Sequence, residues 1–501
     1  MKKYWIWLLM LGLWSVACDR YDDDIVPEPE QEQEEEEEEV EEPKTAADFP
    51  VQNFMWQAMN AFYFWQQDVP NLADNLFTGP EDPDYVSFLE SETDPNAFYE
   101  SLLFSEDRFS FLSEDYRDLV QSFQGVSQSN GLEFQLFLFQ DSDDIFGVVT
   151  YVALDSDAAS KDIQRGDFFV GVDGQRLNLN NYINLLFGDN ATYTLTMASL
   201  SDGNISENGE EVTLTKIENF AENPILVSKV LEVQGQKVGY LMYNSFVANY
   251  DDQLNDEFGK FAAENVQELV LDLRYNGGGR VSSAVQIASA VYGTNTDELF
   301  LRARYNDKLQ AQLSEDFLNT NFTDVTFDSN TVLKELNLSR LYVIVTDRTA
   351  SASELVINGL EPYIDVVLVG TTTVGKNEFS NTFVDDPENS FFYDPSREEF
   401  INPDNQWAIQ PLLGRNENAA GFSDYTAGLP PDLEIGEDIG NLGALGEVDE
   451  PLLARALENI TGATSKRALA TPMQVEKIGY SKMFSITDQT MLMDGLLKPI
   501  K

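Results

Sequence analysis

The chain has 501 residues, 43% apolar and 12% aromatic, enough to bury a large core spread over about two to four domains of ~100–200 residues each. Its formal charge of −56, from 31 basic and 87 acidic residues, argues against nucleic acid as a partner, because phosphate would be repelled. It has no histidine and a single cysteine, Cys18, which excludes Ser-His-Asp and Cys-His catalysis, His-ligated metals and internal disulfides.

Residues 1–18 read MKKYWIWLLMLGLWSVAC. Lys2 and Lys3 make a positive start, and Tyr4 to Trp14 is an apolar stretch too short to span a bilayer. Ser15-Val16-Ala17-Cys18 resembles a bacterial lipobox, with Ser15 in place of the usual leucine, so Cys18 is expected to carry lipid at the mature N-terminus. Ordinary secretory cleavage after Ala17 is the alternative. No later stretch is apolar for long enough to be a transmembrane helix. Residues 19–48 hold Asp22-Asp23-Asp24 and an almost unbroken glutamate run from Glu34 to Glu42, which predicts an extended, disordered tether. Acid directly after a lipid cysteine resembles the surface-export signals of Bacteroidota lipoproteins. The location these features imply is a Gram-negative envelope, with the chain anchored to the outer membrane and facing the periplasm or the surface.

Residues 49–125 read as helical: Phe54, Met55, Met59, Phe62 and Tyr63 recur at helical spacing, and Ala97 to Phe104 adds a second apolar face. Asp107-Arg108-Phe109 follows and carries no catalytic signature. Residues 131–205 change to strand period. GLEFQLFLF alternates, Ala158 to Ile163 predicts a short helix, Phe168 to Val172 a strand, and Asp173-Gly174 a hairpin turn. This order resembles bacterial PDZ domains, with Lys161-Asp162 where that family often has Ala-Gly. The resemblance implies that a peptide C-terminus adds as a strand, its carboxylate held by backbone N–H groups of Leu132, Glu133 and Phe134 after Gly131. Glu133 is unhelpful to an anion, and a β-domain with a blocked groove is the alternative. Ser201-Asp202-Gly203-Asn204 reads as a hairpin turn, since calcium-loop spacing is absent.

From residue 226 to 462 the pattern is α/β. Lys237 to Phe246 and Glu268 to Leu273 predict strands, with helices at Asp252 to Glu264 and Ser283 to Val291. Gly277-Gly278-Gly279 at a strand end lets backbone N–H groups approach a ligand, and matches neither phosphate-loop pattern. Leu341 to Thr346 predicts a strand, Thr349 to Glu354 (TASASE) the start of an apolar helix, and Asp365 to Gly370 a strand leading to Gly375-Lys376. A serine at a strand-to-helix turn exposes its hydroxyl beside helix N–H groups. Without histidine, a hydrolase built on it needs another base, and a lysine left neutral by burial serves. Taken singly, Ser351, Ser353 and Thr349 are equally good helix caps and Lys376 a surface charge. Residues 405–462 look loop-rich, 463–501 form a tail of no assigned character, and there are no internal repeats.

Together these stretches resemble the C-terminal processing (tail-specific) peptidases, which use a Ser-Lys dyad. The family's S-A-S-E appears as Ser351-Ala352-Ser353-Glu354 and its F-G-K-G as Val374-Gly375-Lys376-Asn377, serine and lysine standing 25 positions apart. Its L-D-L-R-x-N-x-G-G appears as Leu271 to Gly279. The resemblance spans residues 49–462. It implies Ser351 as nucleophile, Lys376 as base, the N–H groups of Ala352 and Gly278 as oxyanion hole, and no cofactor or metal. The family's glutamine four places after the lysine is Ser380 here, so either Ser380 or Asn381 is expected to orient Lys376, or the lysine is held some other way. The implied fold is an α/β protease core of the ClpP/crotonase type behind a helical N-terminal domain and a β-rich PDZ-like domain. The expected function is an exported serine endopeptidase whose PDZ-like domain recognises the C-termini of protein or peptide substrates; oligomeric state stays open. A catalytically silent peptide-binding lipoprotein and an acyl-CoA enzyme on the crotonase scaffold are the alternatives.

Overall fold

Prolines open the helices of the first region. Pro50, Pro83 and Pro95 stand at the start of Pro50–Phe62, Pro83–Glu90 and Pro95–Glu100, where their fixed φ is already helical and the missing N–H is not needed. Asp82 and Asp94 cap the second and third, accepting from the N–H groups of Asp84 and Asn96 at 3.0 and 3.1 Å. The computed structural model describes residues 43–462 and 475–493. Cys18 with its lipobox and the Glu34 to Glu42 run lie outside the described residues. The first helix buries Phe54, Met55, Ala58, Met59 and Phe62. Phe54 and Phe62 meet the rings of Phe391, Phe383 and Phe392, so this region packs directly onto the later chain.

Residues 132–215 make an antiparallel run of Leu132–Leu138, Ile145–Val152, Phe168–Val172, Thr192–Ser201 and Asn204–Thr215, neighbours in that order. Alternation sends Phe134, Leu136, Val149, Phe169, Leu195 and Leu214 into one cluster, beside the short helix Tyr182–Phe187. Asp202-Gly203 turns the last hairpin. The helix expected over Ala158 to Ile163 is a single 3-10 turn, Ala158–Ser160. The Ser160 hydroxyl donates back to the Asp157 carbonyl at 2.7 Å, a local bond that competes with helix extension.

The core sheet has the order Ile225–Val233, Gln236–Tyr243, Glu268–Asp272, Arg340–Val345, Asp365–Gly370, Leu433–Glu434. The first pair is antiparallel and the rest are parallel. Its central strands, Glu268–Asp272 and Arg340–Val345, are apolar and buried on both faces, as a sheet covered on both sides requires. Leu241, Leu269, Leu271, Val343 and Val345 share a core with the helices Asp251–Ala263, Val281–Tyr292 and Ala352–Leu360. Tyr240, Met242, Val270, Tyr342 and Ile344 pack on Leu452, Leu453, Ala456 and Leu457. Those last four belong to Pro451–Thr461, a helix in the stretch expected to be loop-rich, again opened by proline and capped by the Glu450 carboxylate, which accepts from Leu453 N–H at 2.8 Å. A second sheet runs Gly279–Arg280, Met491–Leu492, Glu378–Ser380, Leu412–Glu417, Leu299–Tyr305, Asn319–Asn321.

One buried cation ties the Leu271-Asp272-Leu273-Arg274 strand end to this helix. The Arg274 guanidinium, fully buried, donates to Asp272 at 2.7–3.0 Å, to both oxygens of Glu450 at 2.7 and 3.0 Å, and to Glu437 at 3.1 Å. Burial alone would raise the Glu437 carboxyl, but Arg165 and Arg274 hold it at about 2. Arg274→Ala would leave Asp272 and Glu450 buried beside an empty site. We expect it to lower stability by about 3–5 kcal/mol, read as a fall in the urea midpoint at unchanged slope.

Candidate active site

Ser351 closes the strand Arg340–Val345 turn and opens the helix Ala352–Leu360. Its φ of +64° and ψ of −117° lie where an L side chain is strained by roughly 1–3 kcal/mol, a conformation that surrounding contacts must impose. Those contacts are in place. Thr349 Oγ1 donates to Leu273 O at 2.8 Å, Ala350 N–H to Asn276 O at 3.1 Å, and Ser353 Oγ to the same carbonyl at 3.1 Å. The two other serine-region caps of the sequence reading, Thr349 and Ser353, therefore bolt the elbow to the neighbouring strand end. Ser351 Oγ lies on the capping side of Glu354 N–H but makes no well-formed hydrogen bond among the described residues, and it is fully buried.

Glu354 joins this elbow to the lysine loop. One carboxylate oxygen accepts from Ser351 N–H and Lys376 N–H at 2.8 Å each; the other accepts from Gly375 N–H at 2.7 Å and from Thr373 Oγ1 at 2.5 Å. Burial raises the Glu354 carboxyl, and its four donors oppose the shift. Gly375 has φ +81°, and a Cβ there would strike the backbone of Thr426 and Gly428, so the tight loop requires glycine.

Lys376 is 1% exposed. Desolvation brings its amine down from the ordinary 10.5 to about 7, against the pull of Glu378, Asp107, Asp488 and Glu354. The ring of Phe109 lies 4.8 Å from Nζ, and Arg108 Nη2 donates to Gly375 O at 2.7 Å. The Asp107-Arg108-Phe109 stretch, which reads as non-catalytic in sequence, thus builds one wall of the lysine pocket. The Asp107 carboxylate fixes it by accepting from Phe109 N–H, Ser110 N–H and Tyr63 OH.

The glycine loop lies beside the serine. A Cβ on Gly278, which has φ +111°, would sit 2.6 Å from Ser351 Oγ. Ala352 is the first residue of the serine helix. Three expectations need correction. The Gly278 N–H is not open to an oxyanion here: it donates to Asn276 Oδ1 at 2.8 Å. Ser380 does not orient Lys376: its Oγ accepts from Gln410 Nε2 at 2.9 Å and donates to Met491 O at 3.3 Å, and Asn381 Nδ2 goes to Met493 O. The amine of Lys376 instead donates to the carbonyl of Gln489, and is not bonded to Ser351. Leu132, Glu133 and Phe134 lie in a strand rather than a turn, with Leu132 N–H taken by Asn130 Oδ1 and Phe134 N–H by Ser481 Oγ.

Residues 237–413 match the model of Peptidase family S41, and residues 50–111 that of the Peptidase S41 N-terminal domain. These two stretches are thus similar to the S41 peptidase core and to the domain that precedes it, and together make up just under half of the chain. A carboxyl-terminal-processing protease of Picosynechococcus sp. is 26% identical over 281 residues, 54% of this chain and 59% of that protein. A CtpA-like serine protease of Staphylococcus epidermidis is 26% identical over 181 residues, 35% of this chain and 34% of that one. The matches thus span about three-fifths and one-third of these relatives. Among solved structures, a chain from Bacteroides fragilis assigned to the S41 proteases superposes with a TM-score of 0.64 at 27% identity, covering 82% of this chain and 97% of that one. The S41 N-terminal match ends at residue 111, so it takes in Arg108 and Phe109 at the lysine wall.

Glu354→Gln would turn an amide NH2 toward two of the four donors that the carboxylate now satisfies. The expected loss is about 1–3 kcal/mol of stability, measured by urea unfolding, with no change in secondary structure.

Proposed function

We propose that the chain is a serine endopeptidase acting on protein or peptide substrates by a Ser351–Lys376 dyad. The observation that carries this is a buried lysine with its pKa at about 7, tied through one carboxylate to a strained serine elbow, in a protein without imidazole. With a substrate carbonyl at the elbow, neutral Lys376 takes the proton of Ser351 Oγ as oxygen attacks carbon. The amine then returns that proton to the leaving nitrogen, and water hydrolyses the acyl-serine. Ala352 N–H and Gly278 N–H receive the oxyanion, which requires Gly278 N–H to leave Asn276 Oδ1. One such donor is worth on the order of 100-fold in rate.

The β-rich region serves as a PDZ-like strand-addition domain: the strand Leu132–Leu138 lies beside the helix Tyr182–Phe187 and already has one added strand, Glu476–Tyr480, on its outer side, and strand addition is a general mode of peptide capture. The core is of the ClpP/crotonase type in this reading. Residues 1–18 support export and a lipid on Cys18, in the outer membrane of a Gram-negative bacterium; metabolic labelling with palmitate is expected to mark the chain, and Cys18→Ala to abolish the label.

A silent peptide-binding scaffold is the competing reading, favoured by the engaged Gly278 N–H and the dyad's missing bond. Incubation with an unstructured protein decides between them. The unmodified chain is expected to fragment it; Ser351→Ala and Lys376→Ala lose at least a thousandfold. The lysine must be neutral, so the rate should fall about tenfold per pH unit below 7 and level off above it. Equal fragmentation by Lys376→Ala, or none by the unmodified chain, would reject the peptidase reading.

A further inference from the structure

Opposite the Phe109 wall, the dyad is covered by the chain's own segment 475–493, which the sequence leaves without an assignment. It lies on the molecule as two strands joined by a turn. Glu476–Tyr480 pairs antiparallel with the edge strand Leu132–Leu138, Glu476 opposite Leu138 and Tyr480 opposite Gln135. Ser481 continues the ladder: its N–H donates to Phe134 O at 3.0 Å, and Phe134 N–H donates to its Oγ at 3.2 Å. Ile478 packs on the cluster around Leu136, and Phe484 stands edge-on to Phe187 of the neighbouring helix at 5.0 Å. This is how a peptide fills a groove by strand addition.

The head of that groove suits an internal segment, not a free terminus. Glu133 and Glu222 converge there, and a terminal carboxylate would be repelled by both. Lys482 meets them instead, with Nζ 2.8 Å from Glu222 Oε2 and 3.7 Å from Glu133 Oε1. Desolvation would lower the Lys482 amine, but the two carboxylates hold it above its ordinary range.

Beyond Ser485 the segment runs into the cleft. Asp488 and Gln489 lie against Gly277. Gln489 gives its carbonyl to Lys376, and Thr490 gives its carbonyl to Gly279 N–H at 2.7 Å. Met491–Leu492 then pairs in parallel with Gly279–Arg280 on one side and Ser380 on the other, and Met493 N–H donates to Ser380 O at 3.0 Å. Met491 is fully buried, its Sδ 3.0 Å from Asn416 Nδ2.

We propose that residues 475–493 are an intrachain ligand occupying one continuous peptide path, from the edge strand to the catalytic cleft, and that a substrate must displace it. This rests on the peptidase reading for its consequence but not for its binding claim. It explains three facts together: Ser351 and Lys376 are almost without solvent access, the lysine's hydrogen bond goes to Gln489, and Ser380 faces Met491 and not the lysine. It also defines what the path accepts: an extended polypeptide with a cation at the groove head and a long apolar side chain in the cleft.

The test uses the full-length chain. Lys482→Glu places a third carboxylate beside Glu133 and Glu222 and should release the segment at the groove head; Met491→Asp, the second variant, should release it at the cleft. The probe is a fluorescein-labelled synthetic peptide of residues 475–493, with binding followed by anisotropy in a Ser351→Ala background so that cleavage cannot intervene. Either variant is expected to bind the peptide at least tenfold more tightly than the parent. In the Ser351 background both should fragment an unstructured protein at least fivefold faster, and added peptide should raise KM without changing kcat. Equal binding by parent and both folded variants, or binding by none, overturns the proposal. Tighter peptide binding with no fragmentation would leave the proposal standing and reject only the peptidase reading.

Discussion

Four hydrogen bonds to one buried carboxylate hold the candidate site together. Glu354 sits one helical turn after Ser351 and accepts from that residue's own N–H, from two consecutive N–H groups of the lysine loop, and from Thr373. Backbone N–H groups buried away from water must find acceptors. Supplying all three from a single side chain makes the serine elbow and the lysine loop one rigid body. The cost is a carboxylate in a dry place, tolerated because every accepting site is used. The strained Ser351 conformation and the tight turn at Gly375 are both held by this joint.

Around that joint the fold brings in distant parts by charge rather than by apolar contact alone. Arg274 links the end of the Glu268–Asp272 strand to the cap of the Pro451–Thr461 helix, and Arg165 of the β-rich region reaches Glu437 at 2.7 Å and Tyr275 OH at 2.7 Å. Tyr275 immediately precedes Asn276, whose side chain donates to Tyr243 O and accepts from Gly278 N–H, and whose carbonyl receives the serine elbow. One hydrogen bond and two residues, Tyr275 and Asn276, thus separate the β-rich region from the glycine loop. A buried network of this kind is specific in geometry more than it is stabilising.

The strands and helices of the core were legible in sequence because their signals are local. Val366 to Gly370, Leu341 to Val345 and Leu269 to Leu271 are apolar runs that need both faces covered, and the Thr349 to Glu354 stretch marks a strand-to-helix turn. What could not be read depends on long-range contact. Arg108 meets Gly375 across 267 positions, and neither residue's neighbourhood announces the other. Glu437 and Glu450 are two of 87 acidic residues, with nothing in their surroundings to mark them as the partners of Arg274. The expectation that Ser380 orients Lys376 came from a position in a motif. The hydroxyl is too short to do what a glutamine side chain does, and it finds Gln410, thirty positions on in the same chain, instead. Met491–Leu492 is two residues long, below any periodicity. Pro451–Thr461 was missed because the glycines and prolines before it suggested that the loop continued.

The wall that Phe109 makes over Lys376 has a consequence for when the chemistry can begin. In a polypeptide not yet folded, that amine is hydrated, carries its proton and is no base at all. Drying it requires the aromatic stretch near the start of the chain, the loop at Gly375 and the strand beyond it to have met. The first of these lies 267 positions from the second in sequence, so the contact is long-range. In the proposed peptidase the base is therefore created by the finished tertiary structure, and nascent or misassembled copies would stay inert toward their neighbours.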